Sequence, residues 1–370
     1  MKTYKKHFCL LVLFVLLSTV ETIAIGSSTP YQNVDPIANF SFNEDDTTRY
    51  THHYLYEQAY HLIKEMLEGK RAISIKDAEF AIENAFLGGQ ANRQTYEYVI
   101  AAIVNNVQRE AAILRPKMPS EATAKNLALT LFFSEDRASN NYQHYTYDVQ
   151  SLLNDGGIVG GMVLSLLQTG KGTCRSLPYL YKILAHEIDA PSYIACAPMH
   201  CYIKHQDNVG KWWCYETTRY NYCDENYIIE TNHISPQAIA SGLYTKPLTD
   251  KETLCQMLYD LCYFYEKQTG FYSNKFIRKC YTLGLRYFPN SILRILELDD
   301  LKYQLDKELW LRGKRDVYDF TDFPDLQEHY LRLQEKSSEI EKLGYYQYSQ
   351  QEIKDKLDKI KELSERNNIQ

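Results

Sequence analysis

A cysteine precedes a helical pattern in the stretch GKGTCRSLPYLYKILA, which is residues 170–185. Beyond Cys174, apolar side chains recur at helical spacing, and they are Leu177, Leu180, Tyr181, Leu184 and Ile188. Pro178 is tolerated only in the first turn of a helix, so the spacing predicts a helix that begins at Cys174 or at Pro178. Unpaired backbone N–H groups and the positive end of the helix dipole favour an anion at such a position. Cys174 therefore lies where a thiolate would be stabilised.

Three strands are predicted downstream of this helix, because the segments are rich in aromatic and β-branched residues. They are residues 192–196, 201–204 and 211–218, and the polar turn 206–210 joins the last two. His200 begins one strand, and Glu216 lies late in its antiparallel neighbour. In a hairpin the start of the first strand lies beside the end of the second, so we expect these two side chains to meet.

Cys174, His200 and Glu216 supply a thiol, an imidazole and a carboxylate in this order. An activated cysteine nucleophile needs a thiolate to attack, a base to hold and deliver the proton, and an acid to orient the base. The alternative is packing, because a free cysteine is more often a buried residue than a catalytic one and the chain has nine cysteines. Order and spacing alone single out Cys174.

The chain resembles the transglutaminase-like superfamily in the order of its elements. A helix that opens with Gly-Thr-Cys comes first, a strand with His follows, and an aromatic strand ends in Glu-Thr-Thr. Within this superfamily, residues 170–185 resemble bacterial proteins that join such a core to tetratricopeptide-type repeats, and the resemblance covers about residues 145–310. It implies a papain-like arrangement in which Cys174 is the nucleophile, His200 the base and Glu216 the orienting acid. The superfamily usually has Asp at the third position, so Glu216 is a departure, although its longer arm can still reach the imidazole.

Gln168 is a candidate for stabilising the oxyanion, because it lies six residues before Cys174, as the corresponding Gln does in papain-like peptidases. An amide N–H aimed at the oxyanion contributes about 2.7 to 4 kcal/mol, and the backbone N–H of Cys174 is the natural second donor. A polar loop residue is more often simply solvated, and that alternative stays open. We interpret His205 and His233, which lie near the strands in sequence, as surface histidines.

The resemblance implies an α+β fold whose antiparallel sheet packs on the nucleophile helix, flanked by N- and C-terminal helical units. It also implies a cysteine-dependent hydrolase of the peptidase or amidase type, which acts through a thioester with water as the favoured acceptor. With an amine as acceptor, the same site would make the protein an acyltransferase. The rival hypothesis is an inactive scaffold that binds a protein or peptide partner through its tyrosine-rich helices, since some members of the superfamily have lost activity.

Composition and motif spacing disfavour several other functions. The formal net charge of −6 argues against nucleic acid and anionic membrane surfaces as targets. No Cys-x-x-Cys pair or His-Glu-x-x-His motif predicts a metal site, and the glycine-rich segment 156–161 lacks the Lys-Ser/Thr ending of a phosphate loop. We therefore expect a peptide or protein substrate and neither a metal nor another cofactor.

The first 26 residues have the features of a signal peptide, because basic residues precede the apolar run 8–17 and small residues follow it. The mature protein is expected to be exported, to the periplasm or outside the cell, and to have no integral membrane span. Eight of the nine cysteines follow this segment. In an oxidising compartment pairs such as Cys196 with Cys214 can form, but spacing alone cannot assign them.

Helical periodicity and the positions of prolines divide the rest of the chain. The charged tail carries Ile353, Leu357, Ile360 and Leu363 on one face, and we favour a solvent-exposed final helix over a partner-binding one. The predicted segments are a signal peptide (1–26), an extended linker (27–50), an N-terminal helical region (51–118), a transglutaminase-like core (119–247), a tetratricopeptide-like helical region (248–312) and a charged C-terminal helical tail (313–370).

Overall fold

The computed structural model describes residues 52–134, 145–313 and 323–367. The predicted signal peptide and linker lie outside these described residues. These described residues divide into two compact units: the larger comprises those up to 147 together with those between 160 and 346, and the smaller comprises 148–159 and 347–367. No helix among the described residues is both long and apolar enough to cross a lipid bilayer.

The architecture is α+β, as predicted. The helices are α1 (His53–Leu67), α2 (Ile75–Phe86), α3 (Arg93–Leu114), α4 (Glu121–Phe133), α5 (Val149–Asp155), α6 (Val163–Thr169), α7 (Ser176–Glu187), α8 (Glu225–Thr231), α9 (Pro236–Ser241), α10 (Asp250–Thr269), α11 (Lys275–Tyr287), α12 (Leu293–Leu311), α13 (Pro324–Lys342) and α14 (Gln350–Asn367). The strands are β1 (Thr146–Tyr147), β2 (Lys171–Gly172), β3 (Ser192–Ala197), β4 (His200–Gln206), β5 (Trp212–Glu216) and β6 (Asn221–Cys223).

The larger unit contains a four-stranded antiparallel sheet in the order β3-β4-β5-β6. In its register Ala197 lies opposite His200, and Ile203 lies opposite Tyr215. The first three strands confirm the sequence prediction, whereas β6 was not predicted. Strands β1 and β2 form a separate parallel pair, and β2 leads directly into the cysteine loop.

Helix α7 packs against β3 and β4 and is buried at every position from Ser176 to Ala185. A helix that is apolar on nearly all sides belongs in the interior of a domain. The few polar groups on α7 find partners, since Lys182 Nζ donates to the carbonyl oxygen of Ser192 over 3.0 Å. The opposite face of the sheet is covered by an apolar cluster that includes residues of α8 and α9, such as Ile228 and Ala238. The sheet is therefore covered on both faces.

The N-terminal helices brace this core, because α2 packs against α1, α7 and α10. The apolar stripe of α1 is buried and consists of Tyr56, Tyr60, Ile63 and Leu67. Helix α4 begins after Ser120, whose Oγ accepts from the N–H of Thr123 over 3.1 Å. Helices α10, α11 and α12 follow one another within the segment 248–312, which the sequence predicted to be helical.

The sequence predicts one solvent-exposed helix in the charged tail, and the structure differs from this prediction. The tail contains two helices, and the first, α13, packs against α12 and buries Leu326, Leu333 and Ile340. The high charge content hid this narrow apolar stripe. In the smaller unit, α14 contacts α5, and Ser349 and Glu352 form a reciprocal capping interaction at the start of α14.

Candidate active site

Cys174 lies in the loop between β2 and α7, and its side chain is half-buried. Two hydrogen bonds hold this loop. The N–H of Thr173 donates to Ser176 Oγ over 2.9 Å, and that hydroxyl donates to the carbonyl oxygen of Gly160 over 2.5 Å. Helix α7 begins at Ser176, between the two starts that the sequence predicted. The cysteine is therefore two residues before the helix and is carried by a fixed loop.

A two-residue turn, Pro198-Met199, joins β3 to β4 and lies against this loop. Met199 has a φ of 56°, in the left-handed region that residues other than glycine rarely adopt. Its carbonyl oxygen lies 3.7 Å from the Sγ of Cys174. His200 follows as the first residue of β4, so the turn carries the imidazole to the cysteine loop.

Glu216 holds the imidazole from the other side. Its Oε2 lies 2.6 Å from Nε2 of His200, while its Oε1 accepts from the backbone N–H of Thr218 over 3.0 Å and from the Thr218 hydroxyl over 2.8 Å. The pairing of Ile203 with Tyr215 places Glu216 diagonally across from His200. The long glutamate side chain spans that diagonal, and both its oxygens are occupied.

The charges of His200 and Glu216 shift the pKa values of the two side chains in opposite directions. Burial alone would lower the pKa of His200, but the Glu216 charge and hydrogen bonds with the Cys174 and Glu216 side chains raise that pKa to about 10. Burial would raise the pKa of Glu216, yet the His200 charge and the bonds from His200 and Thr218 lower it. At neutral pH the ring is therefore an imidazolium beside a carboxylate.

This arrangement leaves the second ring nitrogen, Nδ1, for the Cys174 thiol, because Nε2 is engaged by Glu216. A thiol beside an imidazole that a carboxylate keeps charged can give up its proton and remain as a thiolate. The backbone N–H of Cys174 has no acceptor among the described residues. That N–H can therefore meet a negatively charged oxygen that forms next to the sulfur.

Gln168 is placed differently from the loop position that the sequence indicated. It is the next-to-last residue of α6, and its side chain is exposed. None of the hydrogen bonds of the described residues joins its amide to the cysteine loop. Its part in stabilising an oxyanion stays a prediction.

Arg175, directly after the cysteine, is the centre of a polar cluster that the sequence analysis missed. Its Nη1 donates to Glu79 Oε1 over 2.8 Å and to the carbonyl oxygen of Gly161 over 2.7 Å. Its Nη2 donates to Asp260 Oδ2 over 3.1 Å, and that oxygen also accepts from the hydroxyl of Tyr179 over 2.7 Å. One guanidinium thus ties α2 and α10 to the start of α7.

Glu83, one turn after Glu79, is also fully buried. Its carboxylate accepts from the backbone N–H groups of Val163 and Leu164 at the start of α6 over 2.5 and 2.8 Å. Burial and the nearby Glu79 charge raise its pKa well above the usual range. The signal in the sequence was a pair of acids, four residues apart, within the apolar face of α2.

His205 corrects the interpretation of the neighbouring histidines. It is only 6% exposed, its Nε2 lies 3.1 Å from the hydroxyl of Tyr222, and burial lowers its pKa to about 4. The surface prediction was wrong because β4 is an inner strand of a sheet that is covered on both faces. His233 is exposed, as predicted, and its ring packs against that of Tyr346.

The cysteines of the sheet do not support the pair Cys196 with Cys214. All eight cysteines of the described residues are free. Cys196 lies opposite Cys201, whereas Cys214 lies opposite Lys204, so the alternation along the strands puts the Cys196 and Cys214 side chains on opposite faces. Among the described residues, no group of three or more His, Cys, Asp or Glu side chains is arranged to hold a metal ion.

Comparisons of the chain with models of protein families, with curated proteins and with solved structures find no match.

Proposed function

We propose that this protein is an exported, transglutaminase-like cysteine enzyme that hydrolyses peptide or amide bonds through a thioester on Cys174. The observation that carries the proposal is the His200 ring, which Glu216 holds at 2.6 Å and whose pKa is raised by its interactions with the Glu216 and Cys174 side chains. The export part rests on the basic and apolar character of residues 1–26.

The chemistry follows from the arrangement of these groups. Cys174 reacts as the thiolate of an ion pair with His200, whose Nδ1 carries the proton that the thiol has given up, and the Cys174 sulfur attacks the carbonyl carbon of the substrate. The backbone N–H of Cys174 stabilises the oxyanion that forms. When the carbon–nitrogen bond breaks, His200 returns its proton to the leaving amine and a thioester remains. Water, deprotonated by the same ring, then attacks the thioester and releases a carboxylic acid and the thiol.

The transglutaminase-like part of the proposal is supported by element order and packing. A buried helix with a cysteine just before it packs on an antiparallel sheet, the histidine begins the second strand and the acid ends the third. Glu216 replaces the usual Asp. Its longer side chain fits the diagonal position, and the two bonds from Thr218 fix its second oxygen.

Acylation by p-nitrophenyl acetate tests this function without knowledge of the natural substrate. We expect a burst of one p-nitrophenolate per protein, and an acetyl group on Cys174 in peptide maps of the quenched enzyme. The burst should disappear in Cys174→Ala, slow strongly in His200→Ala and persist in Cys223→Ala, which removes another partly exposed thiol. A burst that survives in Cys174→Ala, or the absence of any burst in the folded protein, would favour the scaffold hypothesis instead.

The fate of the acetyl group separates hydrolysis from transfer. We expect deacetylation at a rate that a primary amine such as glycine methyl ester leaves unchanged, with acetate as the product. Acceleration by the amine, with N-acetylglycine methyl ester as the product, would identify an acyltransferase and contradict the hydrolytic assignment.

A further inference from the structure

A second pair of thiols lies close to the candidate site but takes no part in the chemistry above. Cys196 and Cys201 are directly opposite each other on β3 and β4, and their sulfur atoms are 3.7 Å apart. Both side chains are partly exposed, whereas their neighbours Ala195 and Tyr202 are fully buried. The two thiols are therefore adjacent and on one face of the sheet, and neither residue is fully buried.

The backbone at this position suits a covalent link. Directly opposite residues of an antiparallel pair have Cα atoms about 4.5 to 5.5 Å apart, and a disulfide accepts Cα separations of about 4.4 to 6.8 Å. Strand β3 is held on both sides, since the carbonyl oxygen of Cys196 accepts from the N–H of Thr245 over 2.8 Å. Rotation of the two side chains, without movement of the strands, can close the remaining distance.

Other cysteines of the molecule are less well placed. Cys214 and Cys223 are also directly opposite, but Cys214 is buried in the apolar cluster and the Cys223 sulfur lies 3.9 Å from the Cys214 carbonyl oxygen. Cys262 and Cys280 are completely enclosed by packed helices. Cys223 is therefore a suitable control, a partly exposed thiol on the same sheet.

We propose that Cys196 and Cys201 are a redox modification site, which forms a reversible disulfide across the β3–β4 hairpin by exchange with a small-molecule disulfide. The Cys196 sulfur loses its proton to solvent, attacks one sulfur of the reagent and expels a thiolate, which leaves a mixed disulfide. The Cys201 sulfur then loses its proton and attacks the Cys196 sulfur, which expels the second thiolate. The two protein thiols are oxidised, and the reagent is reduced to two thiols.

The order of attack follows from the environment of Cys201. Its hydrogen bond with Cys196, together with the burial of most of the residue, raises the pKa of Cys201 well above the usual thiol range. Cys201 therefore keeps its proton longer, and the first attack is assigned to Cys196. The disulfide would close a ring over residues 196–201 that contains the Pro198-Met199 turn and His200. This modification is independent of whether Cys174 is a nucleophile.

Peptide mapping of the folded, full-length protein tests the proposal, with oxidised glutathione as the probe. After incubation with the probe and alkylation of the remaining thiols, we expect a linked peptide, in which an internal disulfide joins Cys196 to Cys201. Alkylation should be lost at both residues. In Cys201→Ser the linked peptide should be absent and Cys196 should carry glutathione. Cys223→Ser should form the link as the wild type does, and dithiothreitol should restore both thiols.

Two results would overturn the proposal. One is continued alkylation of Cys196 and Cys201 in probe concentrations that modify Cys223. The other is a linked peptide that joins either residue to a different cysteine, such as Cys174. Matching far-UV circular dichroism spectra of the wild type and both serine variants would show that these results come from the folded protein.

Discussion

Replacement of Glu216 by Gln removes the charge that keeps His200 protonated while the size of the side chain is conserved. The carboxylate accepts hydrogen bonds at both oxygens, from His200 and from Thr218. An amide has only one oxygen, so its NH2 group must face a donor on one side. The variant therefore loses a charge-assisted hydrogen bond, which contributes about 1.5 to 3 kcal/mol.

This loss can be expressed as a shift in the pKa of His200. One pKa unit corresponds to about 1.36 kcal/mol, so the expected decrease is about one to two units. Because Glu216 and Cys174 raise the pKa of His200 to about 10 in the wild type, the ring in Glu216→Gln should lose its proton at about pH 8 to 9.

Alkylation of Cys174 by iodoacetate measures this shift. The reagent is an anion, so it is attracted by the neighbouring imidazolium, and its rate should fall when the ring loses its proton. We expect the alkaline limb of the pH–rate profile at about pH 10 in the wild type and about one to two units lower in Glu216→Gln. The matched control is Glu225→Gln, since Glu225 is the first residue of α8 and accepts a hydrogen bond from Lys204 of strand β4. An unchanged limb in Glu216→Gln would refute the reasoning.

Three further variants test the parts of the structure that surround the site. Arg175→Met leaves buried carboxylates unpaired and should lower the free energy of unfolding by about 3 to 5 kcal/mol in urea titrations; a loss below 1 kcal/mol would contradict the role of the cluster. Burial lowers the pKa of His205 to about 4, below its unfolded pKa of about 6.5. The contribution of the neutral ring to stability is therefore complete above the unfolded pKa and is lost as the pH falls toward the folded pKa. His205→Gln should flatten that part of the pH dependence, and an unchanged slope would show that other groups cause it. Gly172→Ala places a Cβ 2.5 Å from Ser176 Oγ, so we expect a loss of about 1 to 3 kcal/mol together with slower Cys174 alkylation; wild-type values for both would show that the loop has room.

The sequence predicted the elements of the site because their signals are local. Apolar spacing after Cys174 and the aromatic segments on either side of Pro198 are visible within a few residues, and Pro198-Met199 is the turn between β3 and β4. The meeting of His200 and Glu216 follows from hairpin geometry alone. Even the uncertainty introduced by Pro178 was informative, since the helix begins between the two alternatives.

The features that were missed depend on contacts between distant parts of the chain. Arg175 and Glu79 are 96 residues apart, and nothing local to either residue specifies the ion pair. The burial of His205 depends on helices that cover both faces of the sheet, whereas alternation along one strand predicts only a single covered face. The adjacency of Cys196 and Cys201 required the exact register, which a turn of uncertain length does not fix.

The central claim is that Cys174 is an activated nucleophile, and competitive alkylation tests it most directly. The folded protein is treated with limiting iodoacetamide at about pH 6.5, well below the free-thiol pKa of about 8.5, and each cysteine is quantified by peptide mapping. We predict that Cys174 is labelled first, far ahead of the partly exposed Cys223, and that His200→Ala removes this advantage. Labelling of Cys174 no faster than Cys223, or only after denaturation, would contradict the account.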